Sequence, residues 1–289
     1  MKKIDKNKGL ISQNQGLVNF TKFQLGITDK LVKREATATL DQAISYIQQK
    51  AYPEAIDTCN AALEINPNDG VIYRYCGIAK MLLGDYSDAL EDFEQAISLN
   101  PKDIETYMER GCLHYDLEDL KTAISDFTAA IDIDGTHAQA YFYRGYAQYD
   151  LKNVQLAIDD FTNAIELDPT HVEAWYNRGF AKFDKGSFRE AIADFTETIR
   201  LDSNYVNAYA NRGEARYQLT HLRDAIADFT KVIQFTPNAS NTYYNRGVAQ
   251  SDLMNYHEAL GDLKMALQLK HPAAQSAIDT IQKLLENRK

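Results

Sequence analysis

The sequence is poor in cysteine, glycine and proline and has no long apolar run, which are features that small secreted, metal-binding or membrane proteins depend on. Its three cysteines, Cys59, Cys76 and Cys112, show no Cys-x-x-Cys or Cys/His spacing, so neither a disulfide framework nor a zinc site is predicted. With only 14 Gly and 6 Pro in 289 residues, the chain does not have the composition of a loop-rich or low-complexity protein. No apolar run approaches the ~18 residues of a membrane-spanning helix. We therefore expect free buried thiols, no membrane insertion and a cytoplasmic location.

Catalytic signatures are also missing. The six histidines include no His-Glu-x-x-His pair, and the chain has no glycine-rich phosphate loop and no nucleophile elbow. His137 and His171 stand 34 residues apart in equivalent positions, which indicates a recurring loop position rather than a metal site. The sequence therefore predicts no catalytic residue, no metal and no cofactor, and we expect no enzymatic activity.

Positive charge is scarce and unevenly placed. The net charge is -10, yet residues 1–35 carry eight Lys and Arg against three acids, a net charge of +5, which leaves -15 on residues 36–289. Nucleic-acid binding rests largely on neutralising phosphates with Lys and Arg. The acidic body therefore predicts no nucleic-acid partner and favours a basic one.

A strict 34-residue period runs through most of the chain. One glycine column and one alanine column recur without an insertion: Gly77, Gly111, Gly145, Gly179, Gly213 and Gly247, then Ala55, Ala89, Ala123, Ala157, Ala191, Ala225 and Ala259. Fixed periods of 20 to 50 residues are typical of solenoid proteins. Seven repeats follow one another: Ala36 to Asp69, Gly70 to Asp103, Ile104 to His137, Ala138 to His171, Val172 to Tyr205, Val206 to Ala239 and Ser240 to Ala273.

Each repeat reads as two antiparallel helices joined by a short turn. Both halves place apolar residues three and four positions apart, and prolines end second helices at Pro67, Pro101, Pro169 and Pro237. Glycine in a helix interior costs about 1 kcal/mol relative to alanine, so its recurrence calls for a reason. We predict that the second helix crosses closely at this glycine, with a Tyr/Trp column and the column from Phe93 to Leu263 filling the surrounding space.

These columns resemble the tetratricopeptide repeat, in which an aromatic, a glycine, an alanine and a phenylalanine are followed by a small residue and proline. In the fifth repeat the corresponding residues are Trp175, Gly179, Ala191, Phe195 and Thr198, and the match covers residues 36–273. The departures are local and lie at four positions, where Ala43 replaces glycine, Cys59 replaces phenylalanine, and Gly135 and Ser203 replace proline. The resemblance implies an all-α, right-handed superhelical solenoid whose first helices line a concave groove that binds peptides or partner helices.

The two ends of the chain break the period. Residues 1–35 are basic and could cap the first repeat, fold into the protein's own groove, or be gripped by a partner; we favour capping. Residues 274–289 place Ala274, Ala277, Ile278, Ile281 and Leu285 on one face, which predicts a C-terminal helix that covers the last repeat.

The resemblance also indicates which residues face the groove. These are the columns that contain the predicted partner-binding residues Met108, Tyr115, Phe142, Tyr146, Tyr149, Asp150, Tyr176, Phe180, Phe183, Asp184, Tyr217 and Tyr244. If they face solvent, their central members form an aromatic patch edged with carboxylates, as binding sites often do. The alternative is that superhelical curvature buries the stripe between neighbouring repeats.

A polar pattern accompanies the small-residue crossing. An arginine precedes five of the glycines, at Arg110, Arg144, Arg178, Arg212 and Arg246, and an aspartate precedes each member of the Phe column, at Asp92, Asp126, Asp160, Asp194, Asp228 and Asp262. We predict ion pairs in which each aspartate reaches the arginine of the next repeat. Pairing within a repeat would instead leave Asp92 opposite Cys76.

The sequence thus predicts a non-catalytic adaptor or scaffold that holds a peptide or helix of another protein through a segment with basic and apolar residues. The alternative is a regulatory or self-assembling module whose basic N-terminal tail occupies its own or a neighbour's groove. The sequence leaves the formation of homo-oligomers open.

Overall fold

The computed structural model describes residues 30–286, and these residues are helices joined by short turns, without a strand. They divide into two compact units, residues 30–133 and 134–286. The described part of the first unit contains α1 (residues 30–48), α2 (Tyr52–Ile65), α3 (Gly70–Leu83), α4 (Tyr86–Leu99), α5 (Ile104–Asp116) and α6 (Leu120–Ile133). The second unit contains α7 (Ala138–Asp150), α8 (Val154–Leu167), α9 (Val172–Asp184), α10 (Phe188–Leu201), α11 (Val206–Gln218), α12 (Leu222–Phe235), α13 (Ser240–Asp252), α14 (Tyr256–Gln268) and α15 (Ala274–Glu286).

The helix ends follow the local chemistry of the sequence. The four prolines named above each lie two residues beyond the end of a second helix, as at Pro169 after α8. His137 and His171 precede first helices, and their Nδ1 atoms accept hydrogen bonds from the backbone N–H of Ala140 (3.1 Å) and Ala174 (3.3 Å). The prediction that this histidine position lies in a loop is therefore confirmed, and its role is to cap the helix.

The first helix departs from the predicted boundaries. It is already helical at residue 30, so residues 30–35 belong to α1 rather than to a separate segment. Ala36, Leu40 and Ala43 of this helix are buried in one cluster with Cys59 and Cys76. The three interpretations of the basic N-terminal segment concern residues 1–35, of which residues 1–29 lie outside the described residues.

The turns between paired helices share a backbone feature that the sequence did not reveal. One position in each turn has positive φ, and glycine occupies only two of these seven places, Gly84 (φ 101°) and Gly186 (φ 80°). The others are Lys50, Glu118, Lys152, Thr220 and Met254, with φ between 59° and 66°. Every repeat has the same turn, and this turn requires positive φ at the position. The residue therefore adopts positive φ even where its side chain disfavours that conformation.

The glycine column lies where the two helices of a repeat cross. A Cβ added at Gly77, Gly111, Gly145, Gly179 or Gly213 would lie 2.7–3.0 Å from the ring of the phenylalanine on the paired second helix. The rings themselves, from Phe93 to Phe229, are almost fully buried. The predicted close approach is therefore confirmed.

The arginines and aspartates pair within each repeat, so the predicted inter-repeat pairing was wrong. Arg178 donates from Nε and Nη2 to the two carboxylate oxygens of Asp194, at 2.9 and 2.8 Å. Equivalent pairs join Arg110 to Asp126, Arg144 to Asp160, Arg212 to Asp228 and Arg246 to Asp262. The reason is geometric, because the arginine precedes the glycine at which its own second helix crosses, and the aspartate lies on that crossing helix.

Asp92, which same-repeat pairing was expected to leave opposite Cys76, has another cation. Lys80 stands one turn beyond Cys76 on α3, and its Nζ lies 2.7 Å from the Asp92 carboxylate. The same position supplies a second cation in later repeats, where Lys182 lies 2.8 Å from Asp194 and Arg216 lies 2.6 Å from Asp228.

Contacts between successive repeats of the second unit do involve the arginines, through threonine. Nη1 of Arg178, Arg212 and Arg246 donates to Oγ1 of Thr162, Thr196 and Thr230 on the preceding second helix, at 3.0–3.2 Å. Each guanidinium therefore joins its own helix pair to the pair before it.

First helices approach one another more closely than second helices do. In the second unit α9 contacts α7 and α11, and α13 contacts α11 and α15, with Cα atoms within 8 Å. Among residues 138–286 no such contact joins α8 to α10, α10 to α12, or α12 to α14. The first helices therefore lie on the inner, more tightly curved side of this unit.

The last helix covers the end of the second unit. Ile278 and Ile281 of α15 are buried against Ala259 and Leu263 of α14. The predicted C-terminal capping helix is confirmed over Ala274–Glu286.

The free cysteines are Cys59 and Cys76, both buried, and Cys112, which is half-buried. Burial raises the pKa of the Cys112 thiol to about 12. Within residues 30–286, no helix is long and apolar enough to cross a membrane.

Candidate functional site

We call the surface formed by the fifth, ninth and twelfth residues of α7, α9, α11 and α13 the inner face. Eight of the predicted binding residues belong to it: Phe142, Tyr146, Tyr149, Tyr176, Phe180, Phe183, Tyr217 and Tyr244. The 13-residue length and shared phase of these four helices place the same positions on the same side in each repeat.

Five aromatic side chains of α7 and α9 form an exposed or half-buried group, which we call the aromatic patch: Tyr146, Tyr149, Tyr176, Phe180 and Phe183. The ring of Phe180 lies 5.9 Å from that of Tyr149 and 6.2 Å from that of Tyr176, centre to centre. Tyr146 keeps 39% of its surface exposed. The structure therefore brings these residues together and leaves them accessible.

Phe142 and Met108 do not contribute surface. They are 8% and 6% exposed, and Phe142 packs under the patch against Tyr146 and Phe161 and beside His171. These two predicted binding residues therefore offer little surface to a partner. Tyr176, at the same position, stays half-buried although Tyr205 covers part of its ring at 4.8 Å.

Carboxylates border the aromatic patch and are bonded to it. The Tyr149 hydroxyl donates a hydrogen bond to the exposed Asp184. At the equivalent positions two repeats later, the Tyr217 hydroxyl donates to Asp252 at 2.8 Å. Burial, and then the bond to Asp184, raises the pKa of Tyr149, and the same causes raise the pKa of Tyr217 to about 12. Both phenols therefore stay protonated and act as donors near neutral pH.

Amide side chains also link neighbouring first helices, a feature that the sequence prediction did not include. Asn211 donates from Nδ2 to the Tyr176 hydroxyl at 3.0 Å, and Asn245 donates to Glu214 at 3.2 Å. Both asparagines occupy the sixth position of their helices, and that recurrence was the available signal.

The remaining predicted residues lie elsewhere. Asp150 is exposed at the end of α7, beside the aromatic patch residue Tyr149 in sequence. Met108 and Tyr115 belong to α5 of the first unit, where Tyr115 is half-buried. Residues 30–286 contain no group of three or more His, Cys, Asp or Glu that could hold a metal ion.

Family models for the tetratricopeptide repeat match the chain in consecutive stretches. The matches cover residues 29–70, 71–103, 104–137, 138–171, 161–193 and 181–219. Their boundaries at 71, 104 and 138 coincide with the starts of α3, α5 and α7 to within one residue.

Solved structures with the same fold include several repeat proteins. The C-terminal part of a TPR repeat-containing protein from Cytophaga hutchinsonii is 22% identical, with a TM-score of 0.68, and the alignment covers 82% of this chain and 98% of that one. YrrB, described as a TPR protein with an unusual peptide-binding site, is 23% identical with a TM-score of 0.61 over 65% of this chain and 98% of its own. MamA is 25% identical with a TM-score of 0.55 over 60% and 94%.

A comparison with curated protein sequences finds no significant match. The family models, the helix pairs in register with the 34-residue period and the glycine–phenylalanine crossing agree with one another. The chain belongs to the tetratricopeptide repeat family.

Proposed function

We propose that this protein is a non-catalytic adaptor that holds a segment of another protein on its inner face. The observation that carries the proposal is the aromatic patch, where five aromatic side chains on α7 and α9 stay accessible although the helices beneath them are closely packed. Exposed aromatic clusters with polar borders usually mark binding sites, and Tyr and Trp are enriched among the residues that dominate binding energy.

The chemistry of the border favours a segment with basic and apolar residues. Asp150 and Asp184 are exposed beside the aromatic rings, and residues 36–289 carry a net charge of -15. Apolar side chains would be buried against the rings, while opposite charge would steer the encounter and fix the orientation. Among the structural neighbours, YrrB is described as having a peptide-binding site, so the fold itself is compatible with this use.

A selection from a library of displayed peptides tests the proposal. The full chain is immobilised as wild type and as a Tyr146→Ala, Phe180→Ala double variant, and a selected peptide is then titrated by fluorescence anisotropy. Loss of two central aromatics is expected to weaken binding at least about tenfold, because truncating a dominant interface residue costs about 2 kcal/mol or more.

The matched control is a Tyr86→Ala, Phe235→Ala double variant, which removes two exposed aromatics (46% and 44%) from second helices. Circular dichroism melts of all three proteins verify the fold. Equal losses in the two double variants, or no enriched peptide with wild type, would refute binding at the aromatic patch.

The competing function, in which the basic N-terminal segment occupies the protein's own or a neighbour's inner face, is favoured by the +5 charge of residues 1–35. A variant with Lys2, Lys3, Lys6 and Lys8 changed to Gln distinguishes the two. If the segment competes for the inner face, this variant binds a selected peptide more tightly than wild type. Under the adaptor proposal its affinity is unchanged.

A further inference from the structure

A second feature of the inner face lies in the two repeats that directly follow the aromatic patch. A pocket of about 210 Å³ opens between α11 and α13, lined by Glu214, Tyr217, Tyr244, Asn245 and Val248. Four of these five residues stand at the fifth, ninth or twelfth positions of their helices, so the pocket faces the same side as Tyr146 and Phe180. Pockets for small organic ligands measure about 300–1,000 Å³, so this one suits a single side chain rather than a separate small molecule.

The carboxylate of Glu214 is held in place within the pocket. Gln218 donates from Nε2 to Oε1 of Glu214 at 3.1 Å, and Asn245 donates from Nδ2 to Oε2 at 3.2 Å. An ionised carboxylate has about four acceptor positions, so two positions remain after these bonds. The two neutral amides fix its orientation without neutralising its charge.

The rest of the pocket adds aromatic faces and a second negative charge. Tyr217 and Tyr244 line the walls, and the ring of Tyr244 is held by stacking on His271 at 4.1 Å. The Tyr217 hydroxyl binds Asp252, which brings a second carboxylate close to the opening. Among residues 30–286, no Lys, Arg or His lies within salt-bridge distance of Glu214 or Asp252.

Building on the proposed function, we propose that this pocket receives the side chain of an arginine on the bound partner segment. A guanidinium combines the features that the pocket complements, since it is planar, stacks on aromatic rings and donates in pairs to a carboxylate. A lysine ammonium offers the charge without the planar donor pair. An acidic side chain would face Glu214 and Asp252 and would be repelled.

The placement of the two features also requires a separation along the partner segment. The pocket lies on α11 and α13 while the aromatic patch lies on α7 and α9, so one extended segment that binds both would carry its arginine several residues away from its apolar residues. An arginine at a fixed separation from apolar anchors should therefore recur among selected peptides.

The test uses a selected peptide that contains arginine, together with the same peptide carrying citrulline, the neutral analogue of nearly identical shape. Wild type is expected to bind the citrulline peptide about tenfold more weakly, whereas Glu214→Gln is expected to bind both peptides equally. Raising the salt concentration should reduce the wild-type preference, because part of the pocket is exposed to solvent.

A direct probe complements the peptides. N-acetyl-arginine amide and N-acetyl-citrulline amide are titrated into the isotope-labelled full chain and followed by NMR. The proposal expects the arginine compound alone to shift the resonances of Glu214, Tyr217 and Asn245. Equal shifts from both compounds, or an arginine preference that survives in Glu214→Gln, would overturn it.

The outcomes separate the two proposals. Peptides that depend on Tyr146 and Phe180 but show no arginine preference refute the arginine pocket and leave the adaptor function standing. Absence of any enriched peptide refutes the adaptor function, and the arginine pocket fails with it.

Discussion

Five of the six aspartates of the second-helix column accept hydrogen bonds from a guanidinium, and Asp194 shows how that guanidinium is itself held by other groups. Arg178 lies with Cζ 4.7 Å from the centre of the Trp175 ring, binds both oxygens of Asp194 and donates to Thr162 of the preceding repeat. Thr162 in turn donates to a backbone carbonyl. The arginine is therefore fixed on three sides, and such bidentate geometry is what makes a charged hydrogen bond strong.

The inter-repeat pairing predicted from the sequence failed for a reason visible in these residues. A column that recurs every 34 residues shows that Asp194 and an arginine share a period, but it does not show whether the partner is Arg178 or Arg212. The deciding fact is where the second helix crosses the first, and that depends on packing of the glycine and phenylalanine in three dimensions. The absence of an arginine opposite Asp92 does not argue against pairing within a repeat either, because Lys80 on the same first helix supplies the cation.

Removing one of these aspartates should be among the most damaging single changes in the second unit. Asp194 is 2% exposed and is bonded to both Arg178 and Lys182. Asp194→Ala leaves two partly buried cations without their carboxylate, so we expect the free energy of unfolding in urea to fall by about 3–5 kcal/mol.

The control for this change is Arg189→Ala on the same helix, an exposed position whose substitution should alter the free energy of unfolding by no more than about 0.5 kcal/mol. Similar losses for the two variants would show that the buried network does not stabilise the repeat.

At the scale of the helix pair, the controlling feature is the distance between the two helices at the glycine. In five repeats a phenylalanine ring fills the space that a Cβ would take, and in the seventh Leu263 does so. The first repeat reverses the sizes, with Ala43 in place of the glycine and the smaller Cys59 in place of the ring, and both are completely buried. The smaller Cys59 therefore leaves room at this crossing for the Cβ of Ala43.

Two glycines provide a matched test of this account. A Cβ at Gly179 would lie 3.0 Å from the Phe195 ring, whereas nothing lies within 4 Å of a Cβ at Gly261 in the interior of α14. We expect Gly179→Ala to lower the free energy of unfolding by about 1–3 kcal/mol through overpacking. Gly261→Ala should raise it by up to about 1 kcal/mol, because alanine favours the helix and meets no neighbour.

Thermal and urea unfolding of both variants show whether the two changes in the free energy of unfolding have opposite signs. A stabilised Gly179→Ala protein would mean that the helices can separate freely and that the glycine column does not set their spacing.

Most features of the helix pair were predicted correctly from the sequence, because the pair is determined by local signals that recur in seven repeats. The helix boundaries in Gly70–Leu83 and in later repeats, the crossing at glycine and the covering helix over Ala274–Glu286 all follow from periodicity, capping and proline. What it could not supply was burial within the inner face. Phe142 and Tyr146 are four residues apart on one helix, yet only Tyr146 is exposed, because the Phe142 ring packs against Phe161 and His171.

At the scale of the molecule, each repeat is stabilised by its contacts with the neighbouring repeats. Within the second unit each second helix contacts its own first helix and the next first helix, and the first helices contact their nearest equivalents. In such an array the energy is close to a sum of repeat terms and nearest-neighbour interface terms. A change at one end should therefore weaken the repeats beside it and leave distant repeats nearly intact.

The C-terminal helix allows that expectation to be tested. Ile278 and Ile281 of α15 are 4% and 2% exposed where they cover Leu263, so Ile278→Ala with Ile281→Ala should cost about 2–5 kcal/mol per residue at this interface. Amide hydrogen exchange should then rise in α13, α14 and α15 while α7 and α8 keep their protection. Leu284→Ala, at a position that is 42% exposed, is the control and should leave the whole pattern unchanged.

Loss of protection in all nine helices at once would instead show that the second unit unfolds as one cooperative body, and the aromatic patch would then depend on the covering helix for its stability. Protection that persists in α7 would mean that the aromatic residues of that helix keep their support when the end of the array is open.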